Sequence, residues 1–267
     1  MKPVRLAVII PALNEEAAVG KVVRSVHEAA PGVPVFVIDD YSSDRTASVA
    51  EQAGADVVRL PVYLGLGGCV QTGYKLALEL GFDYVIRLDG DGQHEALDVP
   101  RILDALQSTG SDVVIGSRFI GDNGPMHERQ TSRTRSIGIA LLRRLLAPIT
   151  GSAIHDPTSG LIGVNRRGLE VFAREFPLAW PEIGVLAMLR RHDLRFREIS
   201  CRMHQRRTAS LPSRHGSPVS TSFTSCCMRS SMFFGSMRRP ERKDEPSVRA
   251  VPGRWGDLRF DIVCIAP

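Results

Sequence analysis

Apolar positions in the first 118 residues fall into short, β-branched runs separated by stretches of helical period. The runs are Leu6–Ile10, Pro34–Ile38, Asp56–Leu60, Tyr84–Leu88 and Asp112–Ile115. Amphipathic helical patterns lie between them, near Glu16–Ala30, Asp44–Gln52, Gly68–Leu80 and Ala96–Gln107. A short continuous apolar run reads as a strand buried on both faces, and a helix with one apolar stripe can cover such a face. The alternation predicts βαβ units: an α/β fold with a mostly parallel sheet flanked by helices. Right-handed crossovers then bring the strand C-terminal ends to one edge, where open sheets bind their ligands.

Four of these runs end in polar clusters: Pro11–Glu15, Asp39–Asp44, Asp89–His94 and Gly116–Arg118. One such cluster would be an ordinary helix cap. Four at the same topological place mark that edge as the candidate site. Farther on, the pattern predicts a helix near Ile137–Leu146, a turn at His155–Gly160 and a helix near Glu182–Arg191. From about Thr208 to Arg254 no period of 2 or 3.6 persists, and Ser, Arg, Pro, Met and Cys dominate. Residues 200–249 hold ten Lys/Arg against three Asp/Glu, the composition of a segment that does not pack. The reading is therefore one folded domain over residues 1–207 and an irregular basic tail over 208–267, disordered or out of frame.

Composition adds two constraints. The chain's 267 residues and 43% apolar content allow one large α/β core. No run approaches the roughly 20 apolar residues of a membrane helix, and the N-terminal apolar run is short enough to read as a buried first strand. A cytoplasmic protein is expected. The net charge of +5 is uneven: residues 1–120 carry 10 Lys/Arg and 16 Asp/Glu, whereas the remainder carries 24 and 13. An acidic half can hold a cation, and a basic half can meet phosphates or an anionic membrane surface; a solvated, uneven surface is the plainer alternative. The five cysteines lack metal-ligand spacing and read as free thiols.

Chemistry concentrates at Asp89-Gly90-Asp91-Gly92-Gln93. Two carboxylates two residues apart on a glycine-loosened turn can present oxygens to Mg²⁺ or Mn²⁺, which also take phosphate and water ligands. A leaving diphosphate needs that neutralisation. A solvated Asp-Gly turn is the alternative. Asp39 and Asp40 end a buried strand; one can accept from a nucleobase or ribose while the other caps the next helix, or both can cap. The glycines of Leu64–Gly68 precede a predicted helix start, where backbone can approach a ligand or merely turn. No Walker loop or dinucleotide fingerprint is present. Of the seven histidines, His94 and His155 fall in the candidate loops.

At these residues the chain resembles the family 2 glycosyltransferases of the GT-A nucleotide-diphospho-sugar transferase fold. The nearest branch is the dolichyl-phosphate mannose synthase-like, polyprenyl-phosphate one. The matching segments are Ile10–Glu16, Ile38–Thr46, Leu64–Gly73, Asp89–His94, Ile115–Arg118, Asp156–Gly160, Pro181-Glu182 and Met203–Arg206. The resemblance implies that Pro11, Leu13 and Glu15 line a nucleoside pocket, with Ile38 and Asp40 near base and ribose. Asp89, Asp91 and Gln93 would bind Mg²⁺ or Mn²⁺ with the donor diphosphate, held by Gly90 and Asp91. Arg118 and Arg206 would neutralise phosphates, and Glu182 would be the base if the acceptor were a hydroxyl. It implies an inverting, metal-dependent hexosyltransferase acting from a GDP-mannose or UDP-glucose type of donor onto a polyprenyl phosphate, at the inner face of a membrane. A transferase to a glycan or small-molecule hydroxyl and an impaired sugar-nucleotide-binding remnant are the alternatives, and nucleic acid is not an expected partner. Three departures stand out. Tyr41 replaces the family's usual Gly, Tyr63 a frequent Asn, and the chain after Thr208 loses the family pattern as a slipped reading frame would.

Overall fold

The structure is a computed structural model that describes residues 4–120, 155–156, 158–179 and 181–202. The predicted helix near Ile137–Leu146 and the tail from Thr208 lie outside them. Seven strands and six helices are described, in the order β1 (Leu6–Ala12), α1 (Val19–Ala29), β2 (Val35–Asp39), α2 (Thr46–Gln52), β3 (Asp56–Arg59), α3 (Gly65–Glu79), β4 (Tyr84–Arg87), α4 (Asp98–Thr109), β5 (Val113–Ser117), β6 (Ile162–Val164), α5 (Arg166–Glu175), α6 (Pro181–Arg191) and β7 (Phe196–Ser200).

The strands form one sheet in the order β3-β2-β1-β4-β6-β5-β7. All neighbours pair in parallel except β6, which runs antiparallel to both β4 and β5. The ends of β1, β2, β4 and β5 therefore share one edge, as the alternating pattern requires. Both faces are covered. Ala7 and Ile9 of β1 pack with Phe36 and Ile38 beneath α3, α5 and α6. Val8 and Ile10 point the other way, into a second cluster with Val19, Val22, Val23 and Val26 of α1 and with Ile102 and Leu106 of α4. That double coverage explains why β1 reads as an unbroken apolar run and not an alternating one.

Three elements were not anticipated: β6, α5 and β7. β6 has three residues, too few for a period, and its middle residue is Gly163. A Cβ there would overlap the Ile102 side chain of α4, so the glycine lets the helix lie on the sheet. Helix starts also shift. α1 begins at Val19, because Glu15–Ala18 form a turn whose backbone closes onto Glu15 O. α3 begins at Gly65, so the glycines expected ahead of the helix instead form its first turn. Gly67 is buried there, and a Cβ on it would press on the backbone of Pro177 and Leu178.

Candidate functional site

The edge begins with two stitched loops. After β1, Asn14 takes a left-handed conformation with φ 54°. Its N–H donates to Ser42 Oγ at 2.9 Å, and its Oδ1 accepts from Ser43 N–H at 2.9 Å. Glu15 N–H donates to Thr46 Oγ1 at 2.8 Å, and Glu16 N–H to Asp44 at 3.2 Å. The ends of β1 and β2 are thus one rigid unit. Pro11 is buried, while Leu13 and Glu15 are half-buried at its rim. Ile38 is wholly buried against Gly73 of α3, so its side chain belongs to the core.

The capping expected of Asp39 or Asp40 falls elsewhere. Asp44, not either of them, accepts from Thr46 N–H at the start of α2. Asp40 reaches forward two elements: Oδ1 accepts from Leu64 N–H at 2.7 Å, at the entry to α3. Asp39 Oδ1 accepts from Ser42 N–H, and its carboxylate lies 3.4 Å from the exposed Arg59 guanidinium. Oδ2 of each aspartate is buried with no hydrogen-bond partner among the described residues. Burial, with Asp39 adjacent, pushes the Asp40 carboxyl up, against the pull of the Leu64 and Gly65 N–H groups.

The Asp89–Gln93 turn follows β4 directly. Gly90 is buried beside Pro11 O, Ile10 and Ala12, which seats the turn on the end of β1. Asp91 Oδ1 accepts from Gln93 N–H at 3.0 Å, a local turn that keeps both residues half-buried at the rim. Asp89 is 35% exposed, and its Oδ1 accepts from Arg87 at 3.0 Å. His94 Nε2 stands 3.8 Å from Oδ2, an ion-pair distance and not a hydrogen bond, and neither ring nitrogen of this buried histidine has a hydrogen-bond partner among the described residues. Burial alone would raise the Asp89 pKa, but the Arg87 guanidinium, and then His94, hold its carboxyl well below the usual range. A carboxylate that stays ionised and half open is what a divalent cation requires. No group of three or more His, Cys, Asp or Glu forms a closed metal cage among the described residues. The carboxylates of Asp89 and Asp91 are oxygen donors of the kind hard cations take, together with phosphate and water.

Gly160 closes the site from the far side: a Cβ on it would overlap the Asp89 carboxylate. The turn that carries it is clamped on both flanks. Asp156, fully buried, accepts from Arg118 Nε at 2.7 Å and NH2 at 2.6 Å. Thr158 Oγ1 accepts from the same NH2 at 2.6 Å. Glu198 of β7 accepts the backbone N–H groups of His155 and Asp156 at 2.8 Å each and meets His155 Nδ1 at 2.9 Å. Burial would raise the Asp156 pKa, but the Arg118 hydrogen bonds and charge lower it; Arg118 itself is pushed up by Asp156. Predicted as a phosphate ligand, Arg118 is oriented at its Nε and NH2 by this clamp.

Arg206 lies outside the described residues, as does the side chain of Glu182, whose backbone is the second residue of α6. Cys69 and Cys201 are free thiols, as expected, and burial pushes each up, Cys201 to about 12. Arg87, the Gly160 contact and Glu198 escaped the sequence reading. Arg87 alone left a signal: a charge inside an apolar strand, two residues before Asp89 and so on the same face.

The parallel sheet with one reversed strand has the GT-A type of fold, which solved glycosyltransferase structures share. One is a glucosyl-3-phosphoglycerate synthase from Mycobacterium tuberculosis, solved with Mn²⁺, UDP and phosphoglyceric acid. It is 23% identical with a TM-score of 0.56, covering 75% of this chain and 71% of its own. Another is the mannosyl-3-phosphoglycerate synthase from Rubrobacter xylanophilus, 17% identical with a TM-score of 0.51, covering 77% and 68%. The profile of glycosyl transferase family 2 matches residues 7–172, and the chain belongs to that family. Among its relatives, the polyprenol monophosphomannose synthase of Mycolicibacterium smegmatis is 35% identical over 176 residues, 62% of this chain and 63% of that one. The undecaprenyl-phosphate mannosyltransferase of Micrococcus luteus is 34% identical over 134 residues, 48% of this chain and 54% of that one. The chain thus spans between about half and two thirds of the length of these relatives.

Proposed function

We propose that this chain is an inverting, metal-dependent glycosyltransferase that moves a hexose from a nucleotide-diphosphate sugar to a polyprenyl phosphate. The observation that carries the reading is Asp89: ionised, half open, seated at the end of β4 and walled by Gly160. The relatives named as polyprenol and undecaprenyl-phosphate mannosyl enzymes support a lipid phosphate acceptor. Structural neighbours solved with Mn²⁺ or Mg²⁺ and UDP support a divalent cation and a nucleotide donor.

On this reading Asp89 and Asp91, with Gln93, hold Mg²⁺ or Mn²⁺ against the donor diphosphate. The cation supplies charge neutralisation to the leaving diphosphate. Gly90 lets the turn lie close to the donor, while Pro11, Leu13, Glu15 and Asp40 bound the nucleoside. Arg118, oriented by Asp156, and Arg206 neutralise phosphates of the donor or the acceptor. A phosphate acceptor is already ionised near neutral pH, so positioning and charge stabilisation carry the step without a strong base. Glu182 would act as base only for a hydroxyl acceptor. The transferase domain occupies residues 1–207. No helix among the described residues is long and apolar enough to cross a membrane.

The test offers GDP-mannose or UDP-glucose with Mn²⁺ to the purified chain, with undecaprenyl phosphate, glycan or phosphoglycerate acceptors. Transfer to the lipid phosphate, abolished by EDTA and by Asp91→Asn, is expected. Transfer to a hydroxyl acceptor alone would move the assignment to the second kind of family 2 enzyme. Nucleotide binding with no transfer to any acceptor would make the chain a remnant.

A further inference from the structure

Arg87 is a charge inside an apolar strand. Its backbone pairs with Ile9 of β1 on one side and with Ile162 of β6 on the other, so it sits in the interior of the sheet. Side chains of a strand alternate between its faces. Val85 lies in the cluster beneath α3, α5 and α6, whereas Ile86 and Leu88 lie in the opposite one, which sends Arg87 to the Val85 face. Its side chain is 7% exposed. Its field reaches into that cluster. Burial pushes up the Tyr74 hydroxyl and the Cys69 thiol, both on α3, and the Arg87 cation pulls each of them back. A buried guanidinium is tolerated where it meets a carboxylate.

The carboxylate it meets is Asp89. Arg87 NH2 donates to Asp89 Oδ1 at 3.0 Å. On the other oxygen, His94 Nε2 stands 3.8 Å from Oδ2, and a Cβ on Gly160 would overlap it. The protein thus approaches both oxygens, and a positive charge already rests on Oδ1. A bare divalent cation that comes to Asp89 meets that charge at close range, and the repulsion scales with the product of the two charges. A cation already paired with a diphosphate meets far less, because the negative charges of the diphosphate cancel its own.

We propose that Arg87 is a resident counter-cation of Asp89, which holds the carboxylate in place before the site is loaded and selects a divalent cation paired with a diphosphate over a bare one. This rests on the reading of Asp89 as a cation ligand and adds what sets the preference between the two forms. Arg87 acts through Asp89 and is therefore a positioning residue. Its presence also spares the empty site a carboxylate with no opposing charge, which is costly where water is partly excluded.

Electron paramagnetic resonance of free Mn²⁺ measures the affinity of the full chain for the bare ion, and calorimetric titration of GDP and UDP in excess Mn²⁺ measures that for the paired one. The wild-type chain is compared with Arg87→Gln, Arg87→Met and Arg87→Lys. Gln and Met remove the charge; Gln keeps an N–H for Oδ1, so it serves if Met disturbs the strand. Lys keeps the charge. The Gln and Met variants are expected to bind bare Mn²⁺ about tenfold more tightly, the size of effect one neighbouring charge has on proton binding to a carboxylate. Their nucleotide affinity in Mn²⁺ should change by less than about threefold, since the paired cation is nearly neutral. The Lys variant should stay near wild type in both measurements, and adding Asp89→Asn to Arg87→Gln should erase the gain. A purely structural role for Arg87 would not tighten the site for an ion. Unchanged or weaker binding of bare Mn²⁺ by the Gln and Met variants overturns the proposal, and so does equal tightening for both forms; nucleotide binding by the wild-type chain in Mn²⁺ would still leave the donor site in place. Failure of the wild-type chain to bind either nucleotide with Mn²⁺ overturns both.

Discussion

At the scale of single residues, the site depends on what is missing from Gly160. The Asp89 carboxylate occupies the space a Cβ there would need. Gly160→Ala must therefore turn Asp89 off Arg87 or push back the 158–160 turn. Overpacking at a rigid contact costs typically 1–3 kcal/mol, and the displaced carboxylate is the one proposed to hold the cation. The expected result is a folded chain whose affinity for Mn²⁺-GDP falls at least about tenfold. Ser159→Ala, one residue away, changes a hydroxyl that bonds Gly116 O and should leave that affinity intact. Matched titrations of the two variants check this. The sequence marked Gly160 only as part of a turn motif. Nothing in the chain's order announces that residue 160 meets residue 89, because a close backbone approach leaves no side chain to read.

At the scale of elements, the informative comparison is between the Asp39-Asp40 and Asp156 segments. Both read correctly as loops of polar residues at the ligand edge. Local chemistry then misassigned the first, since a strand ending in two acids normally caps the helix that follows. The structure gives that task to Asp44 and sends Asp40 to α3, a pairing 24 residues away that no local rule foresees. Asp156 ties the end of β5, through Arg118, to the turn that walls the site, while Glu198 ties the same turn to β7. The pair is nearly dry: Asp156 is 0% and Arg118 16% exposed at the side chain. Removing one partner strands the other, which costs on the order of 3 kcal/mol. Asp156→Asn is expected to show that loss in urea unfolding at pH 7. Because the folded pKa of Asp156 is depressed, its contribution is present above the unfolded value, near 4, and disappears as pH falls through the folded one. The deficit of the variant should therefore shrink as unfolding is repeated at successively lower pH below about 4. A deficit unchanged with pH would mean that lost packing, not charge, explains it.

At the scale of the whole molecule, the parallel architecture was legible because both faces of the sheet are covered, which turns strands into unbroken apolar runs. β6 and β7 were not, since three residues and a half-buried edge strand leave no such run. The charge asymmetry was legible as a number but misleading as a map. Among the acids of the first 120 residues, Asp39, Asp40, Asp98 and Asp112 are buried and engaged by backbone or arginine, so they do not form an open cation surface. The set proposed to hold a cation, Asp89 and Asp91 with Gln93, would be incomplete without ligands from outside the chain. That incompleteness has a thermodynamic signature. If metal and diphosphate complete each other's coordination, each binds weakly alone and both bind the folded chain well together. A ligand at a hundred times its Kd adds about 2.7 kcal/mol of stability. For a unit of about 200 residues, that amounts to a Tm rise of about 5–10 °C. Thermal unfolding should show this rise with Mn²⁺ and GDP or UDP together, and little with either alone. Asp91→Asn should abolish the joint shift while leaving the unliganded Tm within a degree or two, since Asp91 sits half-exposed at the rim. An equal rise with nucleotide in EDTA would mean that the basic side chains alone hold the diphosphate, and the acidic turn would then lose its proposed role.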